Sequence, residues 1–165
     1  MSESRSAPAK SPVSPTLSIQ THDSCPPAET AIVDNGIGEF NDAAAPLHEV
    51  APLSCFARDP AGGVVGGAVG RRWGRCCELQ QLWVAPQHRR QGIGAALVRA
   101  FEAHAQTHGC TDFYLETFSF QAPDFYRALG YVSAHEHCVY PHDIVKHLMV
   151  KRKVASIEKT GGAPD

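Results

Sequence analysis

The sequence predicts an α+β fold, a mixed β-sheet with helices on both of its faces. Segments of alternating or continuous apolar residues are typical of strands, and amphipathic segments are typical of helices. Their predicted order is strand, helix, three strands, helix, strand, helix and two strands, which fits such a sheet. The chain has 165 residues, 43% of them hydrophobic, and this suffices for one domain with a sizeable core.

The first half of the chain predicts a strand, a helix and a hairpin. Residues 17–22 alternate apolar and polar side chains, as strands with one buried face do. A short helix is predicted after Pro26, because proline is tolerated in the first helical turn, and residues 41–47 are predicted to be loop. Val50–Ala57 and the segment from Val64 predict paired strands, since the Asp-Pro-Ala-Gly-Gly sequence between them is typical of a turn.

The middle of the chain predicts an irregular strand followed by a helix. Cys76–Val84 predicts the strand, but its apolar positions change from odd numbers at Leu79 to even numbers at Leu82. This change of phase predicts a β-bulge near Gln80–Leu82, which frees backbone N–H groups from the sheet. From Ile93, apolar residues at helical spacing predict an amphipathic helix that ends at Gly109.

The last part of the chain predicts three strands and a short helix. Thr111–Phe118 predicts a strand, and Ala122–Leu129 predicts a helix that a glycine ends. Tyr131–Ala134 and Ile144–Lys151 predict the last two strands.

Composition predicts one domain over residues 17–154 between disordered tails at residues 1–16 and 155–165. The formal net charge of −2 gives no sign of a nucleic-acid partner. No apolar stretch approaches the ~20 residues that span a bilayer, and the N-terminus lacks the apolar core of a signal peptide. A cytoplasmic location without membrane attachment is therefore expected, with the six cysteines reduced.

The start of the second predicted helix carries the clearest functional signal. Free backbone N–H groups and a positive dipole make a helix N-terminus a phosphate-binding site, and glycines let a ligand come close. The alternative is an ordinary helix start without a ligand, which would show the same pattern. The turn does not match the glycine spacing of the P-loop or of the Rossmann fingerprint. The basic, glycine-bearing turn consists of Arg89, Arg90, Gln91, Gly92, Ile93 and Gly94.

A second motif, Phe125-Tyr126-x-x-Leu129-Gly130-Tyr131, follows one strand later, with Ala122 four residues before the tyrosine. Together with Arg89-x-x-Gly92-x-Gly94, it resembles the coenzyme A loop and the later helix of the GNAT superfamily of acetyl-CoA-dependent N-acetyltransferases. TFSFQAP followed by FY and LGY resembles, more narrowly, a group of small bacterial GNAT acetyltransferases. The resemblance covers about residues 48–151.

The resemblance implies a GNAT fold, with a mixed, mostly antiparallel sheet of six to seven strands and about three to four helices. It implies acetyl-CoA as co-substrate. Many GNAT proteins carry Asn seven residues before the helix tyrosine, where this chain has Ser119, whose hydroxyl can still hydrogen-bond the pantetheine arm. The implied cofactor-binding residues are Leu82, Trp83, Val84, Arg89, Arg90, Gln91, Gly92, Ile93, Gly94, Ser119 and Ala122.

Two side chains are the candidates for proton transfer. Tyr126 is the candidate general acid, because a phenol of reference pKa ~10 can protonate a departing thiolate; the alternative is a core aromatic. Glu78 is the candidate general base, because an alkyl amine arrives protonated; the alternative is a surface glutamate paired with a basic side chain. Glu116 is the second candidate base and a candidate substrate-binding residue.

Histidines and a tyrosine near the C-terminal end suggest a substrate pocket. Tyr140 and His142 flank a proline in a predicted loop and are candidate substrate-binding residues. The cluster from His135 to His147 raises the alternative of a zinc site, but its spacing is not an established ligand pattern, and no metal is expected.

The function these observations predict is transfer of an acetyl group from acetyl-CoA to the primary amine of a small molecule. Direct attack in a ternary complex is expected, because no cysteine occupies an evident nucleophile motif. A protein or peptide amine is the alternative acceptor, and a non-catalytic acyl-CoA-binding module is the alternative function. A homodimer is possible, because GNAT proteins are often dimers.

Overall fold

The structure, a computed structural model, describes residues 17–153, which divide along the chain into two units, one ending at Asn41 and the other beginning at Asp42. The predicted tails lie outside the described residues. In the first unit, residues 17–22 form no strand, so that prediction is wrong. Their alternation is a local pattern, but a strand also needs a partner, and none of the described strands pairs with them.

Helix α1 (Pro27–Ala44) follows and crosses this boundary. It is longer than predicted and includes the first part of the segment 41–47, which was expected to be loop. Ala43 and Ala44 explain the extension, because alanine has the highest helix propensity.

The second unit contains a six-stranded mixed sheet, and the predicted α+β fold class is confirmed. The strand order is β1-β2-β3-β4-β6-β5, in which only the β3–β4 pair of this described sheet is parallel. Short 3₁₀ turns cover Leu47–Glu49 and Pro86–His88. The elements are β1 (Ala51–Arg58), β2 (Val64–Trp73), β3 (Cys76–Val84), α2 (Ile93–Thr107), β4 (Asp112–Phe118), α3 (Pro123–Ala128), β5 (Val132–His137) and β6 (Lys146–Arg152).

The predicted bulge is present in β3. Gly70 of β2 pairs with Leu79 and the preceding Val69 pairs with Gln81, so Gln80 is the extra residue. Burial changes phase at the same place, from the buried Leu79 to the half-buried Leu82. The bulge therefore turns the last part of β3 relative to its first part.

The parallel pairing of β3 and β4 is short, and this creates the opening in the sheet. It joins only Cys76–Glu78 to Asp112–Tyr114, after which the strands separate. Helix α2 connects these strands and packs on β1, β2 and β3. The main core lies beneath it and is built from buried side chains that include Leu53, Leu79, Leu97, Val98, Phe101, Phe113, Leu115 and Met149.

A buried carboxylate ties helix α2 to the end of the sheet. Glu102 is 1% exposed, and its oxygens accept hydrogen bonds from Lys151 Nζ at 2.8 and 2.9 Å. Lys153 Nζ lies 3.1 Å from the same carboxylate. Burial, together with the Glu102 carboxylate, raises the pKa of Tyr131. The network satisfies a charge that would otherwise be costly to bury.

We expect Glu102→Ala to lower the free energy of unfolding by about 3 kcal/mol, because it leaves the largely buried Lys151 without its counter-charge. Urea denaturation followed by circular dichroism measures this. Asp124→Asn is the matched control, because Asp124 forms an ion pair with Arg127 that is largely exposed to solvent. Equal stability losses in the two variants would contradict the role assigned to Glu102.

Candidate active site

A cleft of about 1000 Å³ opens where β3 and β4 separate. One wall is the end of β3, the second is the start of α2, and the third is the end of β4 with α3. The lining residues are Gln80, Gln81, Leu82, Trp83, Val84, His88, Arg89, Arg90, Gly92, Ile93, Gly94, Ala95, Glu116, Thr117, Phe120, Gln121, Ala122, Phe125 and Tyr126.

The helix α2 end of the cleft has features that favour an anion. Gly92 stands at the N-cap with φ 81°, a left-handed conformation that favours glycine, and it provides no capping side chain. The first-turn N–H groups of α2 therefore have no capping side chain to bond. Arg89 and Arg90 line the same end, and Arg89 is held by a hydrogen bond from its Nε to Val84 O at 3.0 Å. Helix dipole, amides and guanidinium groups together favour a phosphate there.

The two sequence motifs meet in this cleft. A Cβ at Gly94 would lie 3.4 Å from the ring of Phe125, which is van der Waals contact, so the start of α2 lies against α3. Phe125 packs edge-on against Tyr126, with the ring centroids 5.0 Å apart. The basic, glycine-bearing turn and the tyrosine helix thus border one cleft.

Tyr126 is held in one place by its neighbours. It is 9% exposed, lines the cleft and packs edge-on against Tyr131. Burial raises the pKa of Tyr126 to about 12, so the hydroxyl remains protonated through the neutral range. A protonated phenol beside an anion-binding site has the chemistry of a general acid.

The two candidate bases lie in different places. Glu116 lines the cleft and forms an ion pair with Lys146. Glu78 lies outside the lining set, and its register with Tyr114 places it on the same face of the sheet as Glu116. It forms an ion pair with Arg71 and accepts a hydrogen bond at 3.3 Å from Nε2 of Gln80, which does line the cleft. The structure thus places Glu116, and not Glu78, among the lining side chains.

Most of the predicted cofactor-binding residues line the cleft, and two do not. Gln91 donates from Nε2 to Gln87 O at 3.2 Å. The hydroxyl oxygen of Ser119 accepts a hydrogen bond from Val145 N at 3.1 Å. Tyr140 and His142, the other predicted substrate-binding residues, are exposed and outside the lining set. Their roles stay predictions.

Sequence reasoning missed eight lining residues. The sequence did hold a signal for Gln80 and Gln81, because they lie where the apolar positions of β3 change phase. The signal for Phe120 was weaker: it is an aromatic residue in the short connection between a predicted strand and a proline. The others are His88, Ala95, Thr117, Gln121 and Phe125.

The histidine cluster forms local contacts. His147 is buried, and its Nδ1 lies 3.2 Å from Glu136 Oε1. His135 and His137 pack edge-on. Within residues 17–153, no group of three or more His, Cys, Asp or Glu side chains is placed to hold a metal ion.

None of the helices described is both long and apolar enough to cross a membrane.

Comparison with known proteins agrees with this geometry. Residues 21–131, more than half of the chain, match the acetyltransferase (GNAT) family. The chain belongs to the GNAT family. It is therefore an acyltransferase, and the acetyl donor of the GNAT acetyltransferases is acetyl-CoA.

Individual GNAT relatives fit the same assignment. Blasticidin-S acetyltransferase of Streptomyces morookaense is 38% identical over 110 residues, which are 64% of this chain and 81% of that protein. Aminoglycoside N(6')-acetyltransferase type 1 of Klebsiella aerogenes is 46% identical over 44 residues, which are 27% and 29% of the two chains. The crystal structure of an acetyltransferase from Bacillus cereus is 25% identical, with a TM-score of 0.68 over 81% of this chain and 98% of that one.

Proposed function

We propose that residues 17–154 form an enzyme that acetylates the primary amine of a small molecule by direct attack on acetyl-CoA in a ternary complex. One observation carries the proposal: a single cleft is lined by both the open N-terminus of α2 and the buried Tyr126. The names of the two curated relatives support the acceptor class, since both are acetyltransferases for antibiotics.

The residues of the cleft fit acetyl-CoA. Arg89, Arg90 and the first-turn amides of α2 would bind its pyrophosphate, and Gly92 would let the phosphates approach the backbone. Leu82 and Val84 lie on the adjacent strand end, where the pantetheine arm would run toward the opening of the sheet. The acetyl group would then lie near the bulge at Gln80, which also lines the cleft.

Backbone and side-chain groups of this chain account for each step of the acetyl transfer. Backbone N–H groups freed at the bulge stabilise the oxyanion that forms on the thioester carbonyl. The amine nitrogen bonds to that carbon, the C–S bond breaks, and Tyr126 gives its proton to the departing thiolate. A carboxylate, Glu116 or Glu78, takes the proton that the amine loses. Among the described residues that line the cleft, none is a cysteine, which favours direct attack over an acetyl-enzyme.

Thiol release from acetyl-CoA tests the function across polyamines, amino acids, aminoglycosides, blasticidin S and peptides. We expect turnover with at least one small-molecule amine, and calorimetry should detect binding of acetyl-CoA alone. Turnover restricted to peptides would contradict the acceptor class. Failure of acetyl-CoA to bind would contradict the whole proposal.

The base is assigned by the pH dependence of kcat/KM in two matched variants, Glu116→Gln and Glu78→Gln. We expect Glu116→Gln to remove the acidic limb and to lower the rate by about 100-fold at neutral pH, because Glu116 lines the cleft. If Glu78→Gln alone removes that limb, Glu78 acts as the base, through a water molecule. An acidic limb kept in both variants would exclude both carboxylates.

A further inference from the structure

A group of aromatic side chains, half-buried at Phe118 and exposed at Phe120 and Tyr140, borders the cleft beside Glu116. Phe118 and Phe120 stack with centroids 5.4 Å apart and ring planes 10° from parallel. Tyr140 packs edge-on against Phe118, also at 5.4 Å. We call Phe118, Phe120 and Tyr140 the aromatic patch. Phe120 belongs both to this patch and to the lining of the cleft, so the patch is continuous with the catalytic site.

The backbone holds the patch in a fixed position. Gln121 N donates to Phe118 O at 2.9 Å, which closes a turn around Ser119 and Phe120. Ser119 is bonded on both sides to Val145, through its N–H and through its hydroxyl oxygen. The Gln121 side-chain oxygen also accepts from Phe118 N at 2.8 Å. These bonds fix the backbone turn that carries Phe120, whose ring lies outside the core.

Phe120 is 66% exposed, so the fold does not use most of its surface. A large exposed aromatic that is fixed beside a catalytic cleft is favoured as a contact for a ligand, because burying its face releases free energy. Since Phe118 already stacks on Phe120, a third flat ring can continue the stack on the side toward the cleft.

Charges near the patch fit an amine joined to such a ring. Lys146 Nζ lies 6.0 Å from the centroid of Phe118 and is paired with Glu116. The Glu116 carboxylate, which lines the cleft, stands at the side of the patch where an acceptor ammonium would be stabilised. A ring on Phe120 thus leaves the amine on the side of Glu116 and Tyr126.

We propose that the aromatic patch binds a flat aromatic or heteroaromatic ring of the acceptor, so that the preferred substrates are primary amines carrying such a ring. This inference rests on the proposed function, because it takes the acceptor to be a small molecule. It names Phe120 as the main specificity-determining residue. Aliphatic polyamines and purely saturated ring systems are then poor acceptors.

A matched pair of amines separates stacking from simple hydrophobicity. Phenethylamine and cyclohexylethylamine have the same linker and nearly the same size, but only the first has a flat ring. We expect kcat/KM for phenethylamine to be about 5-fold or more above that for cyclohexylethylamine, on the scale of aromatic pair energies. Equal values, or a preference for the saturated ring, would overturn the inference.

Phe120→Leu tests the residue itself, because leucine remains apolar but has no flat face. We expect it to raise KM for phenethylamine by about 5- to 20-fold and to leave KM for acetyl-CoA and for cyclohexylethylamine nearly unchanged. Phe56→Leu is the control, since Phe56 is also an exposed phenylalanine, 52% accessible, but lies on β1 and outside the lining set.

Binding measured by ligand-observed NMR in the presence of coenzyme A keeps the two proposals apart. If phenethylamine binds wild type but binds Phe120→Leu much more weakly, the inference stands even when no amine is acetylated. That result, together with no turnover of any amine, would contradict the proposed function alone. Binding that is equal in wild type and Phe120→Leu, or absent in both, would overturn the inference even in an enzyme that acetylates other amines.

Discussion

Tyr126→Phe is expected to lower kcat by at least about 100-fold, the usual contribution of a positioned general acid. Tyr126 lines the cleft, and burial raises the pKa of Tyr126 to about 12, so the hydroxyl carries its proton at neutral pH. The variant keeps the ring that packs against Phe125 and Tyr131, so the fold should be retained. Steady-state kinetics with the best amine from the panel measures kcat, and calorimetry measures acetyl-CoA binding, which should not change.

Tyr131→Phe is the matched control for this prediction. It removes the same hydroxyl from the neighbouring buried ring, whose pKa the Glu102 carboxylate helps to raise and which does not line the cleft. We expect lower stability but a kcat close to wild type. Unchanged turnover in Tyr126→Phe, or an equal loss of kcat in both variants, would remove Tyr126 from the mechanism. A high pKa also predicts that deprotonation of Tyr126 causes no fall in kcat below about pH 11.

Gly70→Ala is expected to cause the largest loss of stability, at least about 3 kcal/mol, because the added carbon has no space. A Cβ at Gly70 would overlap the carbonyl oxygen of Glu78 and would lie 2.9 Å from Cζ of Phe101. Gly70 is also the residue of β2 at which the register shifts opposite the bulge. Backbone of β3 or helix α2 must therefore move, and both border the cleft. Urea denaturation measures the loss.

Gly38→Ala is the control for a glycine with free space around it. An added carbon there meets no atom within 4 Å, and the residue lies inside helix α1. We expect no loss of stability, because alanine is the better helix former. If Gly70→Ala were as stable as wild type, the close packing of β2 beneath α2 and against β3 would be disproved.

Local patterns were predictable because they depend on neighbouring residues. The bounds of β3, the turn at residues 59–63 and the start of α2 at Ile93 follow from apolar runs, glycine and helical spacing. Even the bulge was visible, because a single extra residue shifts the buried positions from Leu79 to Leu82. The strand predicted at residues 17–22 was wrong because the alternation of apolar and polar residues is visible within one segment. Formation of a strand also requires a second segment to pair with, which that alternation does not reveal.

The candidate site was predictable only in part. The glycine-bearing turn and Tyr126 carry motifs, so sequence named both, and the structure places both on one cleft. Glu78 and Glu116 are equivalent in sequence, each a carboxylate within a strand. Both face the same side of the sheet, because Glu78 pairs with Tyr114, two residues before Glu116. They differ because Glu78 lies within the paired part of β3 and β4, whereas Glu116 lies beyond the point at which the strands separate.

Sequence by itself determined the fold class, the order of most elements, the basic, glycine-bearing turn and the tyrosine helix, because each is encoded in a contiguous segment. Only the tertiary structure decided where the sheet opens, which carboxylate lines the opening, and that Phe118, Phe120 and Tyr140 gather at its edge. Those features depend on how far β3 and β4 remain paired and on contacts between residues distant in the chain. The residue pattern of one segment predicts neither the extent of strand pairing nor the contacts between distant residues.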